Sequence, residues 1–75
     1  MSVIIKPTGL LRSYAGGQSS LTLDCAGKTV RDCLVEIQVP SELVAMVMVN
    51  GFLQDKDYIV QDQDVIQLIP LVGGG

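Results

Sequence analysis

One stretch of this chain has the spacing of an amphipathic helix, and it is too short to stand alone. Val30, Cys33, Leu34 and Ile37 sit at i, i+3, i+4 and i+7, which places them on one apolar stripe. Arg31, Asp32, Glu36 and Gln38 fall on the opposite, water-facing side. Thr29 precedes the stripe with a hydroxyl able to accept from a first-turn N–H, and Asp32 puts negative charge near the positive end of the helix dipole. Pro40 forces Val39 out of helical geometry, so the spacing predicts a helix over about Val30–Gln38. About two and a half turns would melt in isolation. The stripe must therefore lie on a sheet, which the rest of the chain has to supply.

It supplies one on both sides of the helix. Ser2 to Lys6 contains the β-branched run Val3-Ile4-Ile5 and is closed by Pro7. Thr8 to Tyr14 is a connection with Leu10 and Leu11 as apolar anchors, and Ala15-Gly16-Gly17-Gln18 is a turn. The glycine pair lacks the strand-to-helix context and lysine of a phosphate-binding loop. Ser20 to Asp24 alternates apolar and polar residues and pairs antiparallel with the first strand. Val44 to Val49 is continuously apolar, which reads as a central strand covered on both faces. Asn50-Gly51 then makes a tight hairpin into Phe52 and Leu53. Gln54 to Asp57 is a solvated loop, and Tyr58-Ile59-Val60 is a short strand or turn. Asp62-Gln63-Asp64 turns into a last strand, Val65 to Ile69. There Ile66 and Leu68 should meet the helix, leaving Val65 and Ile69, with Phe52, partly exposed. One helix across one face of a mixed four- to five-stranded sheet is an α+β, β-grasp (ubiquitin-like) arrangement.

Composition narrows what such a domain can do. Hydrophobic residues make up 48% of the chain and charged residues 17%, which supports a packed core and excludes global disorder. No apolar run reaches the roughly 20 residues of a membrane-spanning helix, and no N-terminal signal is apparent, so a cytoplasmic location is expected. The net charge of −3 argues against nucleic acid and suits a protein partner with a basic surface. With Cys25 and Cys33 the only cysteines and no histidine, a four-ligand thiolate–imidazole metal centre cannot be assembled, and no metal is expected. Cys33 lies on the helix's apolar face and reads as a small buried hydrophobe. No nucleophile has a paired base, so no catalytic residues are expected.

The chain ends Pro70-Leu71-Val72-Gly73-Gly74-Gly75. A glycine tripeptide has nothing to bury and loses much backbone freedom when ordered. The organisation expected is a domain over residues 1–70 and a flexible glycine-rich tail over 71–75. Glycines would let this narrow backbone enter another protein's active site. An apolar surface of Phe52, Val65, Ile69, Leu71 and Val72 is the expected partner-binding patch.

Several of these stretches resemble one family. Val47-Met48-Val49-Asn50-Gly51 is similar to the hairpin of the small β-grasp sulfur carriers. Asp62-Gln63-Asp64 resembles their Asp-Gly-Asp turn, with Gln63 in place of glycine, and Leu10-Leu11-Arg12 resembles their Leu-Arg element without the aromatic before it. Pro70 to Gly75 resembles the ending of the molybdopterin synthase small subunit, with Leu71 and Gly73 departing from it; the thiazole-forming carrier shares the final Gly-Gly. The resemblance implies that an E1-like enzyme uses ATP to adenylate the carboxylate of Gly75, with Gly73 and Gly74 entering that enzyme's site. Sulfur from a persulfide donor would then replace AMP, and the thiocarboxylate would pass its sulfur to an acceptor or a synthase large subunit. It implies a carrier with no bound cofactor, in molybdopterin formation first. Alternatives are thiazole, cysteine or tRNA thiolation, or a ubiquitin-like modifier joined to lysines through Gly75.

Overall fold

The computed structural model describes residues 2–71. Five strands form one mixed sheet: β1 (Val3–Pro7), β2 (Leu21–Leu23), β3 (Val44–Val49), β4 (Phe52–Gln54) and β5 (Val65–Pro70), in the order β2-β1-β5-β3-β4. β1 pairs antiparallel with β2 and parallel with β5, and β3 pairs antiparallel with β4 and β5. The last strand in sequence is thus the middle strand of the sheet. α1 (Val30–Glu36) crosses one face and buries Val30, Cys33 and Leu34. They join one core with Val3 and Ile5 of β1, Val47 and Val49 of β3, and Ile66 and Leu68 of β5. Ile66 and Leu68 are fully buried while Val65 and Ile69 are half-buried, as the period-two pattern predicts. This is the α+β, β-grasp arrangement.

The start of α1 follows the sequence, but its end does not. Thr29 Oγ1 accepts from Asp32 N–H at 3.1 Å, so the helix is capped. It stops at Glu36, before the predicted Gln38, and Pro40 is not the cause. Gln38 turns left-handed at φ 59°. Its N–H then donates to Val35 C=O at 3.1 Å, and Val39 N–H donates to Leu34 C=O at 3.0 Å. This pair of bonds closes the carbonyl end, and buried Val39 belongs to the same core as Leu34.

Three more expectations change. Pro7 does not close β1 from outside: it is the buried last residue of the strand, paired with Leu68, and the missing N–H is made good by Thr8, whose N–H donates to Leu68 C=O at 3.2 Å. β3 is an interior strand, paired with β4 and β5, but it is not covered on both faces: Ala45 and Met46 are exposed, with a register shift between Val44 and Met46. Its unbroken apolar run reflects an apolar open face, not a second covering layer. Of the two anchors after β1, only Leu11 is buried; Leu10 is 51% exposed on the 3-10 segment Gly9–Ala15. The hairpin behaves as expected, with Asn50 at φ 51° and Gly51 at φ 87°, the pair a two-residue turn between twisted strands requires.

Candidate partner-docking face and tail exit

The face of the sheet opposite α1 is built by the residues that alternate with the core. Cross-strand partners point the same way, so the register assigns each side chain a face. Ile4 lies opposite Val65, Lys6 and Met48 flank Gln67, and Met46 lies opposite Ile69. Met48 also pairs with Leu53 across the hairpin. Ile4, Val65, Ile69, Met46, Met48 and Leu53 therefore share the open face, with Lys6 and Gln67 among them. Leu53 is 63% exposed and Met46 45%. A shallow groove runs from Met46 and Leu53 to Gln54, Lys56 and Arg31. Exposed apolar surface of this extent, edged by polar groups, is what docking sites are made of.

The structure brings together only part of the predicted patch. Val65 and Ile69 lie on the open face, and Leu71, two residues beyond Ile69, is exposed. Phe52 does not join them. It pairs with core residue Val49, so it projects on the side of α1, at the edge strand where the helix does not cover it. Sequence reading missed Leu53, Met46 and Ile4. The signal was present: a two-residue Asn50-Gly51 loop pairs Val49 with Phe52, so Leu53 must share a face with Met48. Val72, Gly73, Gly74 and Gly75 lie outside the described residues.

The exit of the tail is held tightly up to Leu71. β1 supports β5 as far as Leu68, where Thr8 Oγ1 also donates to Leu68 C=O at 2.7 Å. On the other side Val44 pairs with Pro70, and Leu71 N–H donates to Leu43 C=O at 2.8 Å. Gly9, at φ 56°, packs so closely that an added Cβ would lie 3.1 Å from Pro70 Cγ. The middle strand thus delivers the chain to the rim between the 3-10 segments Gly9–Ala15 and Ser41–Leu43.

The Asn50 and Asp62–Asp64 residues of the familiar motifs are structural. Asp64, 5% exposed, accepts from Asn50 Nδ2 at 2.8 Å, Tyr58 Oη at 2.8 Å and Gln61 N–H at 2.9 Å. Asn50 in turn accepts from Val65 N–H at 2.9 Å and donates its own N–H to Val65 C=O at 2.9 Å. Burial pushes the Asp64 carboxyl up, but the bonds from Gln61, Tyr58 and Asn50 outweigh it and hold the group below the usual carboxylate value. The same bond to Asp64 pushes the Tyr58 phenol up. The network locks the β3–β4 hairpin to the turn that starts β5. In that turn Gln63 takes φ 69°, a left-handed position that glycine adopts more readily. Arg31–Asp57 at 3.4 Å and Lys28–Glu36 at 2.9 Å are exposed ion pairs, which add little. Cys25 and Cys33 are both buried and free, and burial above all pushes the Cys33 thiol up to about 12. Among the described residues no helix is long and apolar enough to cross a membrane.

Comparison with known proteins agrees with this geometry. No curated protein matches the chain significantly. Among solved structures, a putative molybdopterin converting factor subunit 1 from Pyrococcus furiosus aligns with a TM-score of 0.74 at 25% identity, covering 96% of this chain and 99% of that one. Urm1 from Trypanosoma brucei aligns with a TM-score of 0.74 at 20% identity, over 99% and 95% of the two chains. The small archaeal modifier protein 1 (SAMP1) from Methanosarcina acetivorans aligns with a TM-score of 0.72 at 22% identity, over 99% and 96%. The latter two share the fold. The model of the ThiS family matches residues 6–75, from the second half of β1 through the glycine tail, and the chain therefore belongs to that family of β-grasp sulfur carriers.

Proposed function

We propose that this chain is a sulfur carrier, a co-substrate and not an enzyme, whose Gly75 carboxylate is adenylated by an E1-like enzyme and converted to a thiocarboxylate. One observation carries the reading. The middle strand of the sheet is hydrogen-bonded as far as Leu71, at the rim, and Val72 and three glycines follow it in the sequence. Four residues reach at most about 13–14 Å, so Leu71 must dock close to the mouth of any site that Gly75 enters. That is why an apolar face beside the exit, with Ile69 and Leu71 nearest to it, suits the task.

The chemistry needs little from this chain. A carboxylate is a poor electrophile, so ATP, bound by the partner, converts it to an acyl adenylate and releases pyrophosphate. The outer sulfur of a persulfide donor displaces AMP to give an acyl disulfide, and a second thiol on the donor cleaves its S–S bond, closing a disulfide there and releasing the thiocarboxylate. The resulting thiocarboxylate is anionic and strongly nucleophilic at neutral pH. A side chain near that carbon would obstruct ATP and then the acceptor, whereas glycine at 73 to 75 obstructs neither. The acceptor we favour is a synthase large subunit of molybdopterin formation, in the cytoplasm. Pro70 and Val72 support it, as does likeness to the Pyrococcus furiosus protein and to a subunit 1 and 2 complex of molybdopterin-converting factor from Helicobacter pylori, matched at 23% identity and a TM-score of 0.64.

A second reading, a protein modifier joined to lysines through Gly75, is favoured by likeness to SAMP1 and Urm1. Incubation with ATP, a sulfur source and the activating enzymes of the host, followed by intact mass measurement, separates the two. A carrier gains the mass of one sulfur-for-oxygen exchange; a modifier appears in larger conjugates. Deleting Gly74 and Gly75 should abolish AMP transfer with the melting temperature almost unchanged. A deletion variant that still accepts AMP would overturn the proposal.

A further inference from the structure

Neither the docking face nor the tail uses the two cysteines. Cys25 follows β2 in a turn closed by Lys28 N–H donating to Cys25 C=O at 3.2 Å, and Cys33 lies on α1 with its Sγ 3.7 Å from the same carbonyl. The two Sγ atoms and a carboxylate oxygen of Glu36 lie within 4.8 Å of one another. Cys33 and Glu36 are three residues apart on α1 and so are neighbours on its surface, with Glu36 at the exposed border of the buried stripe. Glu36 is held at the surface by Lys28, with Oε1–Nζ at 2.9 Å. Two buried thiols therefore sit beneath one exposed ion pair that can swing aside.

We infer that Cys25 and Cys33 form a site for a soft monovalent cation of the copper(I) class, with Glu36 at its entrance. The two sulfurs lie no more than 4.8 Å apart, and two metal–thiolate bonds of about 2.2–2.3 Å span up to about 4.6 Å, so one ion can be held between them. Thiolates select soft ions, and a two-coordinate ion needs no more donors than these. Zinc prefers four ligands, and among the described residues only three donor side chains gather here. The exchange balances without redox chemistry. One cation and two thiols give a bis-thiolate complex of charge −1 and two protons, which leave past the Glu36 carboxylate. The expectation of no metal, drawn from the absence of a four-ligand set, does not reach a site that needs two.

The test uses the whole chain, reduced and kept under anaerobic conditions. It is titrated with copper(I) against a chromophoric copper(I) chelator, and in parallel with silver(I) as a redox-inert probe. One equivalent should bind, with thiolate-to-metal absorption in the near ultraviolet. Amide shifts in the wild-type protein should centre on residues 25–36, a readout that needs no variant to fold. Cys25→Ala and Cys33→Ala should each weaken binding more than about 100-fold, the upper range for losing a mere supporting group. Met46→Leu and Met48→Leu should leave it unchanged. The inference is overturned if no equivalent binds or if zinc binds more tightly than copper(I). It is also overturned if Cys33→Ala retains the ion, or if the shifts centre on the methionines of the open face.

Discussion

Replacing Asp64 by alanine should cost more stability than its place on a surface turn suggests. The carboxylate receives three hydrogen bonds, from Asn50, Tyr58 and Gln61, all between 2.8 and 2.9 Å. A bond to a charged group is worth about 1.5–3 kcal/mol, and the lower figure applies because Asn50 and Gln61 are exposed enough for water to replace part of the loss. The substitution also removes the cost of burying a charge. The net expectation is a loss of about 3 kcal/mol, set against a total of about 4–11 kcal/mol for a domain of this length. At a urea slope of about 1 kcal/mol/M, the unfolding midpoint followed by far-ultraviolet circular dichroism should fall by about 3 M. The difference should also depend on pH in a definite direction. Folding lowers the Asp64 carboxyl below its usual value, so the unfolded chain takes up a proton first on acidification. The stability gap between wild type and Asp64→Ala should be constant above the ordinary carboxylate pKa of about 3.9, and should shrink as pH falls through the lowered folded value. A loss under about 1 kcal/mol, or a gap that widens on acidification, would refute the argument by showing that burial outweighs the hydrogen bonds.

Three other substitutions probe the face and the exit. Leu53→Asp should weaken binding of the activating enzyme at least about 10-fold while leaving the unfolding midpoint within about 0.5 kcal/mol, whereas Phe52→Asp should leave binding almost unchanged; calorimetric titration with that enzyme decides, and the reverse order would contradict the register argument. Gly9→Ala should lose about 1–2 kcal/mol in urea unfolding, because the left-handed backbone at φ 56° penalises a Cβ that Pro70 already crowds. Gln38→Gly should instead gain about 1 kcal/mol by the same measurement, since Gln38 occupies a left-handed position at φ 59° with its side chain exposed.

The body of the fold was legible because its signals are local and redundant. The Val30-Cys33-Leu34-Ile37 stripe, the Asn50-Gly51 turn and the alternation of Ile66 and Leu68 each state one geometry, and the five-stranded sheet satisfies all of them. What was not legible depends on which neighbour a strand finds. Val44 to Val49 is apolar throughout, and apolar residues alone do not distinguish a strand sandwiched between layers from one whose second face waits for a partner. The end of α1 was misread for a related reason. Pro40 is a strong stop signal, but the helix had already ended at Glu36, four residues earlier, where Gln38 turns left-handed and Val39 buries against the core.

The site shows the same division. Glycines 73 to 75 stand out in the sequence because nothing in a packed domain needs them. Where the chain leaves the sheet depends on a strand order that no local signal encodes, with β5 drawn between β1 and β3 so that it is supported on both sides. The consequence is mechanical. A tail on an edge strand could peel back under the pull of a partner, giving up one ladder bond at a time. Here, withdrawing Leu71 and Pro70 means breaking the bond to Leu43 and then pulling against Val44 and Gly9. Leu71 therefore fixes a point four residues before Gly75. Lengthening the tail by two glycines after Leu71 should extend that reach by about 7 Å. If the activating enzyme relies on Ile69 and Leu71 to bring Gly75 to its site, the longer tail should lower the rate of adenylate formation more than the affinity, because the face still docks while the carboxylate no longer arrives in register. An unchanged rate would mean that the enzyme reads the tail alone and that the apolar face serves another partner.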